Sequence, residues 1–103
     1  MSWNDSKDCC SLLGGDLIEA RTQDDYDRAQ SFWWDIEADI WLGGSDCEVE
    51  GEWRWESDAE PINMAYFWKS GQPNQDGNCL RLENDGIYDG SCSSTNYFVC
   101  FLG

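Results

Sequence analysis

Side-chain amides and carboxylates gather on one stretch of the chain: Gln72-Pro73-Asn74-Gln75-Asp76-Gly77-Asn78 leads into Cys79, and Asn84-Asp85 and Asp89 follow before Cys92. These residue types present hard oxygen donors. Ca²⁺ takes roughly six to eight of them in a forgiving geometry, so a loop whose oxygens converge from several turns can hold it. Zinc is a poor fit, because there is no histidine and no Cys-x-x-Cys pair. Acid–base or nucleophilic catalysis fits no better: the usual base is absent, and a paired-carboxylate hydrolase needs two acids across a cleft, which an acidic composition does not supply. The stretch reads as a binding site, and the protein as a non-enzyme.

The elements that must position these groups follow from the rest of the chain. Its 103 residues make one domain over 1–103, large enough for a single core and small enough to need covalent support. Six cysteines supply that support as disulfides, which places the protein in an oxidising, secreted and extracellular setting. No apolar run is long enough to span a membrane and no signal peptide is visible, so a mature chain with no membrane insertion is expected. A net charge of −15 excludes nucleic acid as a partner, since phosphate binding needs clustered Lys and Arg.

Ser2 with Asp5 three residues on opens a first helix, in which Trp3, Ser6, Cys10 and Leu13 form one buried stripe that Gly14-Gly15 stops. Cys10 then faces the core. Cys9 lies one helical step around and should pair differently. The sequon Asn4-Asp5-Ser6 falls in the first turn of that helix, which argues against glycan attachment. Thr22 and Asp25 repeat the cap before a second helix carrying Tyr26, Ala29 and Trp33. Strands are expected at Leu17-Ile18-Glu19-Ala20, at Ile40-Trp41-Leu42-Gly43-Gly44, at Trp53-Arg54-Trp55, around Leu80 and Leu82, at Ile87-Tyr88 and at Tyr97-Phe98-Val99-Cys100. Between Glu56 and Gln75 the patterning fades into a long loop, read as ordered because Met64, Tyr66, Phe67 and Trp68 can anchor it.

Cys10-Ser11-Leu12-Leu13-Gly14-Gly15-Asp16-Leu17, Trp41-Leu42-Gly43, Gly51-Glu52-Trp53-Arg54-Trp55, the stretch from Trp68 to Cys92 and Tyr97-Phe98-Val99-Cys100 together resemble a C-type lectin-like domain over nearly the whole chain. The resemblance implies an α+β fold, with two helices flanking small antiparallel sheets, a long ordered loop and disulfide staples. It implies that Cys10 pairs with Cys100 and Cys79 with Cys92, leaving Cys9 for Cys47. It also implies that Trp3, Trp41, Trp53 and Trp68 are buried rather than presented to a sugar.

In sugar-binding members of that family one Ca²⁺ bridges protein and sugar, so the resemblance implies metal ligands at Gln72, Asn74, Asp76 and Asp89. The same four with Tyr88 form the implied carbohydrate site, with glycans or glycoproteins as partners and a setting in innate immunity. The match is partial. Gln72-Pro73-Asn74 is a hybrid of the mannose-type Glu-Pro-Asn and the galactose-type Gln-Pro-Asp, with Pro73 expected cis. Asp76 stands in for a later acidic ligand, with Asn78 as a less charged substitute, and Tyr88 stands where the family has Asn before Asp89. Two other functions stay open within the family, calcium-independent protein recognition through an apolar patch at Tyr66, Phe67 and Tyr88, and ice binding. Sugar type and oligomeric state are open as well.

Overall fold

Two capped helices and a central buried strand set up the molecule. A computed structural model describes residues 1–62, 68–69 and 77–102. Helix α1 runs Trp3–Leu12, and its cap Ser2 accepts through Oγ from the Asp5 amide at 3.3 Å. Trp3, Ser6 and Cys10 are buried as expected, and Ser6 Oγ donates to the Ser2 carbonyl at 2.8 Å, so the third residue of the sequon is inaccessible. Leu13 departs from the expected stripe and is 61% exposed. It is the C-cap, and Gly14 at φ 85° turns the chain away before a further helical turn could bury it.

Helix α2 runs Gln23–Ile36 and is capped by Thr22, whose Oγ1 accepts from the Asp25 amide at 3.1 Å. Ala29 is buried, with Tyr26, Phe32, Trp33 and Ile36 packed around it. Glu37 ends the helix in the left-handed region at φ 57°.

Strand β2, Ile40–Ser45, is buried along its whole length. The alternation of a strand divides it between two cores. Ile40 and Leu42 join the larger one beneath α2 with Trp53, Trp55, Leu80, Leu82 and Ile87. Trp41 joins the smaller one with Trp3, Cys10, Leu17 and Cys79. Its neighbours in the main sheet are β3 (Arg54–Trp55) and β4 (Cys79–Glu83), and β4 pairs with β5 (Gly86–Gly90), giving the order β3-β2-β4-β5. A second sheet of two strands pairs β1 (Asp16–Leu17) with the last strand.

The C-terminal strand differs from expectation. Tyr97-Phe98-Val99-Cys100 divides into β6 (Tyr97–Phe98), parallel to β2, and β7 (Cys100–Phe101), antiparallel to β1. At the step between sheets the Val99 carbonyl accepts from the Ile18 amide at 2.9 Å. The Ile18 carbonyl instead accepts from the Gly43 amide of β2 at 3.0 Å, and with that change of partner the expected strand over Leu17-Ile18-Glu19-Ala20 shortens to Asp16–Leu17. Beyond Leu17 the chain spans from one sheet to the other, and Ile18 and Ala20 remain buried.

Two disulfides form as expected: Cys10–Cys100 ties α1 to β7, and Cys79–Cys92 ties the start of β4 to the chain leaving β5. The expected third pair does not form, and Cys9 and Cys47 are free thiols. Successive helix residues are about 100° apart, so α1 directs Cys10 at β7 and sends Cys9 elsewhere. Cys47, two residues past β2, lies instead beside the Cys79–Cys92 bridge. Among the described residues no helix is long and apolar enough to cross a membrane. In the described parts of the long loop the Ile62 amide donates to the Trp53 carbonyl, and Trp68 packs edge-on against Trp53 with ring centroids 5.3 Å apart. Met64, Tyr66 and Phe67 lie outside the described residues.

Candidate functional site

Strands β4 and β5 form the hairpin that carries the site, in register from Cys79 opposite Gly90 to Glu83 opposite Gly86. Both stems of the polar stretch are fastened to β5. On the incoming side Trp68 bridges to Ile87 in parallel, and the Lys69 amide donates to the Ile87 carbonyl at 3.0 Å. On the outgoing side Gly77 sits directly on Gly90, so close that a Cβ there would collide with the Gly90 carbonyl. Lys69 and Gly77 thus both lie against β5, at Ile87 and Gly90, to either side of Tyr88 and Asp89. Gly77→Ala should force the stem off the strand and cost about 1–3 kcal/mol, the usual range for overpacking. Urea unfolding of that variant checks this, and an unchanged midpoint would show that the contact does not hold the stem.

Of the four expected metal ligands, Asp89 lies within the described residues, while Gln72, Asn74 and Asp76, together with Pro73, lie outside them. Asp89 is 2% exposed, on the same face of β5 as Ile87 and opposite Leu80 of β4. Alternation sends Tyr88 to the other face. There its ring lies under the Arg81 guanidinium at 5.5 Å, and its hydroxyl donates to Asp85 Oδ1 at 3.0 Å. Tyr88 is therefore brought next to Asp89 in sequence without sharing its face.

A charged cluster surrounds Tyr88. Lys69 Nζ pairs with Asp85 Oδ2 at 3.0 Å, and Arg81 reaches Glu83 at 2.9 Å and Asp39 at 3.5 Å. The Lys69 ammonium, followed by the Tyr88 hydroxyl, holds the Asp85 carboxyl below its ordinary range, and Asp85 in turn raises Lys69. Partial burial, followed by the Asp85 carboxylate, raises Tyr88, and burial raises Glu83 against the opposing pull of Arg81. This cluster was not anticipated. Its signal was the pair Asn84-Asp85, whose acid is engaged by Lys69 and Tyr88.

Asn78 has a bracing role. Its amide, oriented by its partners, donates to Glu50 Oε2 at 2.9 Å and Asp46 Oδ1 at 3.0 Å, and the buried Asp46 also accepts from the Gly51 amide at 3.0 Å. The outgoing stem is thereby tied to the chain that follows β2. Asp89 is a buried carboxylate on β5, one of the hard oxygen donors that Ca²⁺ takes. A separate groove of about 460 Å³ lies between β1, β7 and α2, rimmed by Arg21 and Asp58. Neither Tyr88 nor Asp89, the expected metal- and sugar-site residues among the described ones, lines it.

Comparison with known proteins agrees with this architecture. A family model described as the Lectin C-type domain matches residues 1–101. "C-type lectin domain family 4 member M" of Nomascus concolor is 29% identical over 96% of this chain, which spans 26% of that relative's length. The carbohydrate-recognition domain of cow CD23, solved in the presence of a GlcNAc2Man3 oligosaccharide, superposes with a TM-score of 0.84 at 26% identity, covering 97% of this chain and 78% of that one. A calcium-independent type II antifreeze protein superposes with a TM-score of 0.78 at 25% identity, covering 97% and 77%.

Proposed function

Because the chain belongs to the C-type lectin domain family, we propose that it is a secreted lectin binding a glycan through Ca²⁺ held by Gln72, Asn74, Asp76 and Asp89. The observation that carries this reading is the position of Asp89, buried on β5 between the two fastened stems of the polar stretch. The likeness to a carbohydrate-recognition domain solved with an oligosaccharide supports it, and a net charge of −15 favours a cation over an anion. When bound, Ca²⁺ supplies coordination positions for two neighbouring sugar hydroxyls. The chain's own groups orient those hydroxyls: the amides of Gln72 and Asn74 donate to sugar oxygens, and the carboxylates of Asp76 and Asp89 accept hydrogen bonds from the hydroxyls. Neither Gln72 nor Asn74 carries a carboxylate, so discrimination between mannose-type and galactose-type hydroxyl pairs is relaxed, with a slight preference for mannose from Asn74.

Two carboxylates give a weakly charged site, of the kind that binds Ca²⁺ with a Kd on the order of 10⁻⁴ to 10⁻³ M. At a tenfold excess over Kd the metal should stabilise the fold by about 1.4 kcal/mol. Melting temperature should therefore rise in Ca²⁺ by roughly 5–10 °C over its value in chelator, and by less in Mg²⁺, which demands stricter octahedral geometry. Identical melting curves in Ca²⁺ and in chelator would overturn the reading.

The antifreeze likeness favours a second reading, calcium-independent ice binding by the same fold. Thermal hysteresis that persists in chelator would establish it in place of the first.

A further inference from the structure

Three sulfurs meet where β2, β4 and β5 end together. The Sγ atoms of Cys47, Cys79 and Cys92 all lie within 4.8 Å of one another, and two of them form the Cys79–Cys92 bridge while the third is a free, exposed thiol. A thiolate beside a disulfide is the reactant pair of thiol–disulfide exchange, which needs no outside oxidant or reductant. The backbone already holds the pair together. The Asp46 amide donates to the Asn78 carbonyl at 3.1 Å, and the Cys47 thiol is directed at the same oxygen at 3.9 Å, placing Cys47 next to Cys79.

We propose that Cys47 attacks Cys79 and displaces Cys92, so that the chain exists as two disulfide isomers of one fold. In this step the Cys47 thiol gives its proton to solvent and its sulfur bonds to Cys79 Sγ. The Cys79–Cys92 bond breaks, its electron pair leaves on Cys92 Sγ, and that sulfur takes up a proton. One thiol and one disulfide stand on each side. The direction follows from exposure: Cys92 is half-buried and water can stabilise it as the leaving thiolate, whereas Cys79 is wholly buried.

The fold accommodates both isomers. Cys79 keeps its place opposite Ser45 of β2 and Gly90 of β5, and the Cys92 carbonyl still accepts from the Trp3 amide at 3.0 Å. What moves is the covalent brace. It passes from the exit of β5 to the exit of β2, and the outgoing stem at Gly77-Asn78 loses its covalent link to the strand that carries Asp89. Exchange is thus a means of loosening that stem without unfolding the sheet, whatever the stretch binds.

The test is a thiol map of the intact wild-type chain, incubated without reductant in mildly alkaline buffer, quenched in acid, alkylated and digested under non-reducing conditions. Label is expected on Cys9 in every molecule and shared between Cys47 and Cys92, with a peptide joining Cys47 to Cys79. In Cys47→Ser the label on Cys92 should vanish. The proposal is overturned if wild-type Cys92 stays unlabelled while Cys47 is fully modified, or if Cys92 is still labelled in Cys47→Ser. A peptide joining Cys9 to Cys47 would overturn it too, and one joining Cys47 to Cys92 would overturn the assignment of Cys92 as the leaving sulfur.

Discussion

Replacing Cys10 and Cys100 together by serine should lower the melting temperature by on the order of 20 °C, at about 4–8 °C per kcal/mol for a domain of this size. The bridge closes a separation of 90 residues. The loop-closure model assigns a loop of that length about 4–5 kcal/mol, most of it through restriction of the unfolded chain. Packing adds to the loss. Cys10 is wholly buried in the core formed with Trp3, Leu17 and Trp41, and a serine hydroxyl there would need a hydrogen-bond partner that these apolar side chains do not provide. The Cys79–Cys92 bridge spans a separation of only 13, for which the same model gives about 3 kcal/mol. Thermal melts of the two double variants, each with its remaining bridge intact, separate the effects. A larger loss from the shorter bridge would mean that the two-sheet junction at β7 is not the main covalent restraint on the fold.

Asp89→Ala should abolish glycan retention while leaving the fold recognisable. On the proposed mechanism this carboxylate holds Ca²⁺ and accepts a hydrogen bond from a sugar hydroxyl. A hydrogen bond to a charged group is worth about 1.5–3 kcal/mol, so its loss alone weakens sugar binding at least about tenfold. Weakened metal binding comes in addition. Asp89 is 2% exposed, so the isosteric Asp89→Asn variant is the necessary companion, keeping the volume and removing the charge. Both variants should lose glycan binding and the Ca²⁺-dependent rise in melting temperature. If either binds an immobilised glycan as well as wild type does, Asp89 is not a ligand.

Local chemistry made much of this architecture legible in advance. Both helices begin where Ser2 and Thr22 accept from the amides three residues on, and Trp3, Ser6, Cys10 and Ala29 fall inside because the 3.6-residue period brings them to one side. The alternation in Trp53-Arg54-Trp55 likewise put both indoles in the core. What escaped notice depended on contacts distant in sequence. Leu13 extends the apolar stripe by period, yet whether it is covered depends on where the chain goes after Gly14. Tyr97-Phe98-Val99-Cys100 has the composition of one strand, and only the separate placement of β1 and β2 divides it at Val99.

At the site, the expectation for Asp89 came from the resemblance, which puts the family's acid at that position. The Lys69–Asp85–Tyr88 cluster, the Asn78 brace to Asp46 and Glu50, and the sulfur cluster at Cys47 were not anticipated, because each joins residues that come together only when the hairpin and its stems are in place. The expectation for Cys9 and Cys47 came from what the other pairs left over, and it carried no information about distance.

The central claim is that metal and sugar share one set of ligands. Its most direct test passes the wild-type chain over immobilised mannose- and galactose-type glycans in millimolar Ca²⁺, then in chelator, then in Ca²⁺ restored. Retention in Ca²⁺, release in chelator and recovery on restoring Ca²⁺ but not Mg²⁺ is the predicted result. Retention that survives the chelator unchanged would contradict it.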